Sequence, residues 1–308
     1  MVTCKQRVGV IGATSLIGEC LLPMLIEGGW KVVAFLRRMQ GIQHRGETQP
    51  IDWQLLRQTV PSNSSDVFHT EKEIPHWVCL APIWVLPEYF SMLSLYGAKH
   101  VVAISSTSRF TKDISSDTVE QQMAKRLADS EECFVAWAKT KDVTWIILRP
   151  TLTYGLGRDS NISVIARFIR RFAFFPLLGE ARGLRQPVHA QDVAFCCLAA
   201  LSTEKAFNRS YNISGGETLP YREMVCHVFS ATGRKPRFIR LPLWLFHLAV
   251  MFLRLLPRFR HWSAAMAGRM NQDLVFDHED ASRDLGFAPR PFRLTREDLP
   301  ALCSKMPS

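Results

Sequence analysis

The chain has 308 residues, 47% of them hydrophobic and 21% charged, which is enough to bury a large core and excludes a disordered or low-complexity protein. Its net charge of +10 favours acidic partners, such as nucleotide diphosphates, anionic lipid or nucleic acid, without choosing among them.

The first element is the run Val8 to Ile11, a short apolar stretch of the kind found in strands covered on both faces. It turns at Gly12 into a helix that directs Ile17, Leu21, Leu22 and Leu25 towards the sheet and stops at Gly28-Gly29. Gly12 frees the backbone for a sharp turn, and Gly18 removes a side chain where the helix must approach the sheet. The N–H groups at the start of such a helix, with the positive end of its dipole, make a pyrophosphate site. Gly12, Thr14, Ser15, Leu16, Ile17 and Gly18 are therefore the expected dinucleotide contacts, with Ser15 where the ideal glycine triad has its middle member. A second apolar strand, Trp30 to Leu36, ends in Arg37-Arg38. A cation at this strand end suits the 2′-phosphate of NADP(H), whereas an acid suits the free hydroxyl of NAD(H). NADP is the expected cofactor, NAD the alternative, and two solvated charges the bland reading of Arg37 and Arg38.

Residues 39–75 are polar and mixed, with a short strand expected at Ile51-Asp52-Trp53 and a helix near Leu55. Strand character returns from His76 and breaks at Pro82, and Pro87 to Leu95 reads as helix. The strand His100 to Ile104 delivers Ser105-Ser106-Thr107-Ser108 at its carboxyl end, where ligands bind in open α/β sheets. Hydroxyls there are also ordinary turn formers. A long helix from Asp117 to about Lys141 precedes a sixth strand, Val143 to Leu148, which ends in Arg149-Pro150. This alternation argues for an α/β fold with a doubly wound parallel sheet. Beyond Gly157 an amphipathic helix from Asn161 to Phe175 carries Arg167, Arg170 and Arg171; further helices start at Gln191 and Tyr221, with a short strand at Tyr211 to Ser214 between them.

The stretch 241–257, LPLWLFHLAVMFLRLLP, is too short to span a bilayer comfortably and contains His247 and Arg254. Its basic, aromatic character leaves open a peripheral membrane contact, a packed wall of the second lobe, or a homodimer surface. The eight cysteines form no C-x-x-C pair and fall mostly in apolar runs, as buried thiols in a reducing compartment do, so neither disulfides nor a metal site is expected. The N-terminus has no apolar signal core, and the expectation is a cytoplasmic protein, with peripheral attachment to a membrane's inner face left open.

In this order, GATSLIG, ISSTS, ILRPTLTYG, QPVHAQDVA and YNISGGE resemble the extended short-chain dehydrogenase/reductase family, and within it the NAD-dependent epimerase/dehydratase branch, which works largely on nucleotide sugars. The resemblance covers nearly the whole chain. It implies a dinucleotide-binding Rossmann domain in residues 1–157, with returning segments near 186–216, and a smaller, mostly helical C-terminal substrate lobe in 158–185 and 217–308. It implies that Gly12, Ser15 and Gly18 hold the pyrophosphate, that Ala81 and Pro82 lie along the cofactor, and that Pro150 packs near the nicotinamide. Ser106 matches the hydroxyl that hydrogen-bonds the reacting oxygen of a nucleotide-linked or lipid-linked sugar, while His189 and Asp192 match structural positions. Arg167, Arg170, Arg171, Arg182 and Arg185 become candidates for a substrate diphosphate, because a guanidinium fork matches phosphate oxygens.

The family's proton shuttle is a tyrosine followed four residues later by a lysine, whose charge lowers the phenol pKa from about 10 towards working pH. No tyrosine lies between Tyr96 and Tyr154. Aligning Lys125 with the family lysine puts Gln121 at the tyrosine position; aligning Arg126 puts Gln122 there. An amide does not titrate, so three readings follow. The chain is an atypical oxidoreductase that uses Ser106, Lys125 and Gln121 with a substrate hydroxyl or water; or it is a non-catalytic cofactor-binding scaffold or sensor; or Tyr154 or Tyr96 reaches the site from elsewhere. Nucleic acid is not an expected partner, because the basic residues are not interleaved with an aromatic stacking platform on a recognisable motif.

Overall fold

The computed structural model describes residues 6–37, 50–56, 73–113, 117–241 and 265–301. Seven strands form the central sheet in the order β11-β6-β5-β4-β1-β2-β3: β1 (Arg7–Ile11), β2 (Lys31–Leu36), β3 (Ile51–Leu55), β4 (His76–Cys79), β5 (His100–Ile104), β6 (Thr144–Pro150) and β11 (Arg209–Ile213). Every pairing is parallel, and the order reverses between β1 and β4, where chain direction across the sheet switches. A parallel sheet covered on both faces needs apolar residues at consecutive positions, and this one has them: β2 and β5 are buried almost throughout.

Alternate residues face two separate cores. Val8, Val10, Val32, Ala34, Val78, Val102, Ile146 and Leu148 pack against α1 (Leu16–Glu27) and α6 (Ala190–Ala200). Ile11, Val33, Phe35, Trp77, Val101 and Ile147 pack on the other face, with Leu127, Phe134 and Ala138 of α4 (Thr118–Thr140) and with the 3-10 helix Ile83–Tyr89. A third core joins Tyr154, α5 (Ile162–Phe172), α7 (Tyr221–Ala231), Phe292 and Leu299. Each burial of a large aliphatic side chain in these cores stabilises by about 1.5–3 kcal/mol before entropy is counted.

Several local expectations change. Leu55 does not begin a helix: it continues β3, paired with Leu36, because the edge strand runs the full length of its neighbour. Pro87 lies inside the 3-10 helix, and the α-helix after it, α2, covers only Phe90–Leu95; lacking an N–H, Pro87 sits where the chain tightens. α5 ends at Phe172 because Ala173 adopts a left-handed φ of 63°, which frees Phe175–Leu178 to form β8 beside β13 (Phe238–Leu241). Apart from Leu241, which closes β13, the apolar stretch 241–257 lies outside the described residues. None of the described helices is long and apolar enough to cross a membrane.

Candidate functional site

The β1–α1 turn stands at the sheet's reversal point, at the carboxyl ends of β1 and β4. Gly12 has φ +80°, and a Cβ on it would lie 2.7 Å from the Ala81 backbone N, so the β4 loop is drawn directly against the turn. A Cβ on Gly18 would come within 2.3 Å of the Ala13 carbonyl oxygen, and only glycine lets α1 start this close to β1. Ser15 is the N-cap: its Oγ accepts the Gly18 N–H at 3.1 Å, and its own N–H donates to Gly12 O at 2.9 Å. A glycine there could not supply that cap. The amides of Leu16 and Ile17, whose helix position gives them no intrahelical acceptor, are left for an anion. Thr14 is exposed in the same turn. Glu19 brings a negative charge into the first turn of α1, and Arg158, from the loop after β7 (Thr153–Tyr154), pairs with it and offsets that charge.

The other residues expected along a cofactor lie at the carboxyl ends of β2, β4 and β6. Arg37 is exposed immediately after β2. Ala81 and Pro82 follow β4 next to Gly12, and Pro82 starts the 3-10 helix. Pro150 closes β6 and accepts from the Thr107 N–H at 3.2 Å, which ties the ends of β5 and β6 together. Arg38 lies outside the described residues.

At the end of β5 the hydroxyls separate by role. Ser105 is buried and donates to Glu131 Oε1 at 2.5 Å; Thr107 is buried and donates to Pro150 O at 3.3 Å. Ser106, half-buried, accepts the Ser108 N–H at 3.1 Å, so its own proton remains to be donated. Beneath them Glu131 of α4, 2% exposed, also receives Arg149 through Nε at 3.0 Å and Nη2 at 2.6 Å, and Arg109 through Nη1. Burial pushes the Glu131 carboxyl up, but bonds from Arg149 and Ser105 and the two arginine charges outweigh it, holding the group below the usual carboxylate range.

This cluster also fixes which side of α4 meets the strand ends. Leu127 and Ala124, one and two turns before Glu131, are buried along the same side. Lys125 and Gln121 are exposed. At about 100° per residue they lie about 120° and 80° around the helix from Glu131, so they do not share its inward face with Ser106. Lys125, Gln122 and Arg126 instead line an outer cleft with Pro87, Asp129, Ser130 and Cys133.

All five tyrosines are described, and the structure answers the missing-base question for each. Tyr89 is buried. Tyr96 donates to Gln54 Oε1 at 3.2 Å beside Phe35 and Trp77, on the far part of the sheet. Tyr154 is fully buried between His189 and Phe292, and burial pushes its phenol up. Tyr211 donates to Asp284 at 3.1 Å, and Tyr221 lies against the Arg185 guanidinium; burial pushes both up to about 12, so both stay protonated. The proposal that Tyr154 or Tyr96 supplies the base is therefore corrected: one is locked in the lobe core and the other faces β3.

His189 and Asp192 are structural, as the resemblance implies. His189 Nδ1 accepts the Gln191 N–H at 3.1 Å, which leaves the proton on Nε2 to donate to Asp298 at 3.0 Å. Asp192 accepts Arg290 Nε at 2.9 Å. Among the basic residues of the lobe, Arg167, Arg171 and Arg182 are exposed, while Arg170 donates to Pro300 O. Arg185, 4% exposed, donates to the carbonyls of Leu184 (2.6 Å), Gln272 (2.8 Å) and Arg269, which clamps β9 (Leu184–Arg185) to the end of α8 (Ala265–Asn271). Arg269 of α8 pairs with Glu120 in the first turn of α4 at 3.3 Å. No group of three His, Cys, Asp or Glu able to hold a metal occurs among the described residues.

Residues 90–214 match the model of the NAD dependent epimerase/dehydratase family. The uncharacterized protein y4nG of Sinorhizobium fredii (strain NBRC 101917 / NGR234) is 26% identical over 94% of this chain and 77% of its own length. The chloroplastic divinyl chlorophyllide a 8-vinyl-reductase of Arabidopsis thaliana is 24% identical over 76% of this chain, which spans only 59% of that protein. The solved structure of MoeE5 in complex with UDP-glucose and NAD superposes with a TM-score of 0.65 and 21% identity, covering 95% of each chain, and so shares the fold. Residues 90–214 are thus similar to the NAD dependent epimerase/dehydratase family, and the doubly wound parallel sheet is the fold that the chain shares with the solved structure.

Proposed function

We propose that this chain binds NADP(H) and acts as an oxidoreductase of epimerase, dehydratase or reductase type on a nucleotide-linked or lipid-linked sugar, without a tyrosine base. The observation that carries the reading is the β1–α1 turn: free first-turn amides of Leu16 and Ile17, at the positive end of a helix, open on the reversal point of a parallel sheet. Gly12, Thr14, Ser15 and Gly18 shape that pocket, Ala81 and Pro82 flank it, Pro150 lies at the end of β6 on the nicotinamide side of this reading, and Arg37 follows β2, where a 2′-phosphate would be recognised. Bound there, the cofactor supplies or accepts hydride. Ser106 donates its hydroxyl proton to a substrate oxygen, and the exposed Arg167, Arg171 and Arg182 of the substrate lobe attract a diphosphate.

Gln121 and Lys125 stay outside this mechanism because of their place on α4. Their position favours a second reading, a non-catalytic cofactor-binding scaffold or sensor, since the buried side of α4 facing the strand ends carries Glu131, Leu127 and Ala124 and no tyrosine. Calorimetric titration with NADP and NAD, followed by absorbance at the reduced-nicotinamide band on adding a panel of UDP-sugars, separates the two. A redox change with any substrate supports the enzyme; tight cofactor binding with none supports the sensor. Binding of neither cofactor refutes both. Arg37→Asp is expected to reverse a preference for NADP, and an unchanged preference would remove Arg37 from the cofactor site.

A further inference from the structure

We propose that Arg109 and Phe110, with the Ser106 hydroxyl, form a subsite for a carboxylate on the reacting part of the substrate, so that the chain prefers an acid to the matching neutral molecule. This rests on the reading that ligand lies at the carboxyl end of β5, and it adds the substrate's chemical class.

Charge is the first argument. Glu131 faces two guanidiniums, and one carboxylate balances only one of them. Arg149 takes the better share, with its fork on both oxygens at 3.0 and 2.6 Å and only 14% of its side chain exposed. Arg109 meets the same carboxylate through Nη1 alone, and 25% of its side chain reaches solvent. The excess positive charge of the cluster is thus carried to the surface by Arg109. A guanidinium partly withdrawn from water, with part of its fork still exposed, suits a second carboxylate.

Position is the second. Arg109 and Phe110 belong to the short helix α3 (Ser108–Thr111), which follows the serines at the end of β5 directly; the Arg109 N–H donates to Ser106 O at 3.2 Å. Ser106, with a hydroxyl proton to donate, and Arg109 are thus held on one short segment at the carboxyl end of β5. Phe110 adds to this, being 44% exposed although it is large and apolar. It lies 5.7 Å from the Arg109 guanidinium, 5.3 Å from that of Arg149 and 6.2 Å from the Phe276 ring. An open aromatic face beside an unbalanced cation holds the carbon frame of a ligand whose carboxylate meets the arginine.

The test is calorimetric titration of the full chain, with NADP present, using two matched pairs: UDP-glucuronate against UDP-glucose, and 3-phenylpropionate against 3-phenylpropanol. The subsite predicts that at least one acid binds about ten-fold or more tightly than its neutral partner. Arg109→Met is expected to bring that ratio close to one, and Arg109→Lys to keep part of it. If Arg109→Met does not fold, Arg109→Lys must still lower the ratio. Acid preference in the phenylpropionate pair alone keeps the subsite and removes the sugar-nucleotide reading. Equal binding of both UDP-sugars, with no acid preference in the second pair, keeps that reading and overturns the subsite. Failure of both acids to bind, or a ratio that Arg109→Met leaves unchanged, also overturns it.

Discussion

Replacing Glu131 by glutamine tests the cluster that joins α4 to the strand ends. The side chain is 3% exposed and accepts from Ser105 at 2.5 Å, from Arg149 at 3.0 and 2.6 Å, and from Arg109. An amide has one acceptor oxygen where the carboxylate has two, and its NH2 group would face a guanidinium. At least two charge-assisted bonds are lost, each contributing about 1.5–3 kcal/mol, and two cations remain partly buried without a counter-charge. The expected loss is about 3–5 kcal/mol, the usual range for breaking a buried ion pair. For 308 residues, an unfolding entropy of about 2.1 cal/mol/K per residue converts 4 kcal/mol into a fall in Tm of about 6 °C. Differential scanning calorimetry at neutral pH measures it. A fall of less than about 2 °C would mean that the network is solvated or slack, and the orientation assigned to α4 would lose its support.

Three further outcomes follow from other parts of the molecule. His100, held between Thr144 Oγ1 at 2.7 Å and Ala200 O at 2.9 Å, is kept neutral by burial, which lowers its pKa from 6.5 to about 4. The unfolded chain binds this proton first, so stability is complete above about pH 6.5 and falls by up to about 3 kcal/mol as pH drops towards 4. Denaturant titrations should show this slope flattened in His100→Gln, and an identical slope in the variant would refute the assignment. Gly12→Ala forces a side chain onto φ +80° and within 2.7 Å of the Ala81 N; a loss of about 1–3 kcal/mol and a weakened response of Tm to added NADP are expected. Unchanged melting with and without NADP would remove the turn from the cofactor site. Gln121→Tyr recreates the tyrosine-lysine spacing with Lys125, yet turnover of UDP-sugars should not rise, because both positions face solvent. A gain in turnover would show that α4 presents this side to the ligand.

Much of the architecture was legible from the chain alone. Apolar runs at β1, β2, β5 and β6, alternating with helical stretches along the chain, argued for a parallel sheet with two covered faces, and the β1–α1 turn announced itself through Gly12 and Gly18. These signals are local: a strand's burial, a turn's φ and a helix cap depend on neighbours a few residues away. Ser15 shows where that reasoning ends, since its spacing marked a substituted glycine while only the folded helix revealed a serine that caps its own first turn.

Long-range partners were decided by tertiary structure. Glu131 gave no motif, because its three partners lie 18 to 26 residues away and meet it only when α4 crosses the ends of β5 and β6. The register of α4 was equally hidden: a four-residue spacing allowed Gln121 with Lys125 or Gln122 with Arg126, and helical periodicity favours neither until Glu131 anchors one side to the sheet. Arg185 reads as one more basic residue among several until β9 and the end of α8 close around it. Sequence determined most of the elements and the β1–α1 turn, because those follow from contacts along the chain. Which side chains share a site, and which charge is left unbalanced there, follows from how distant elements pack, and that is written only in the folded molecule.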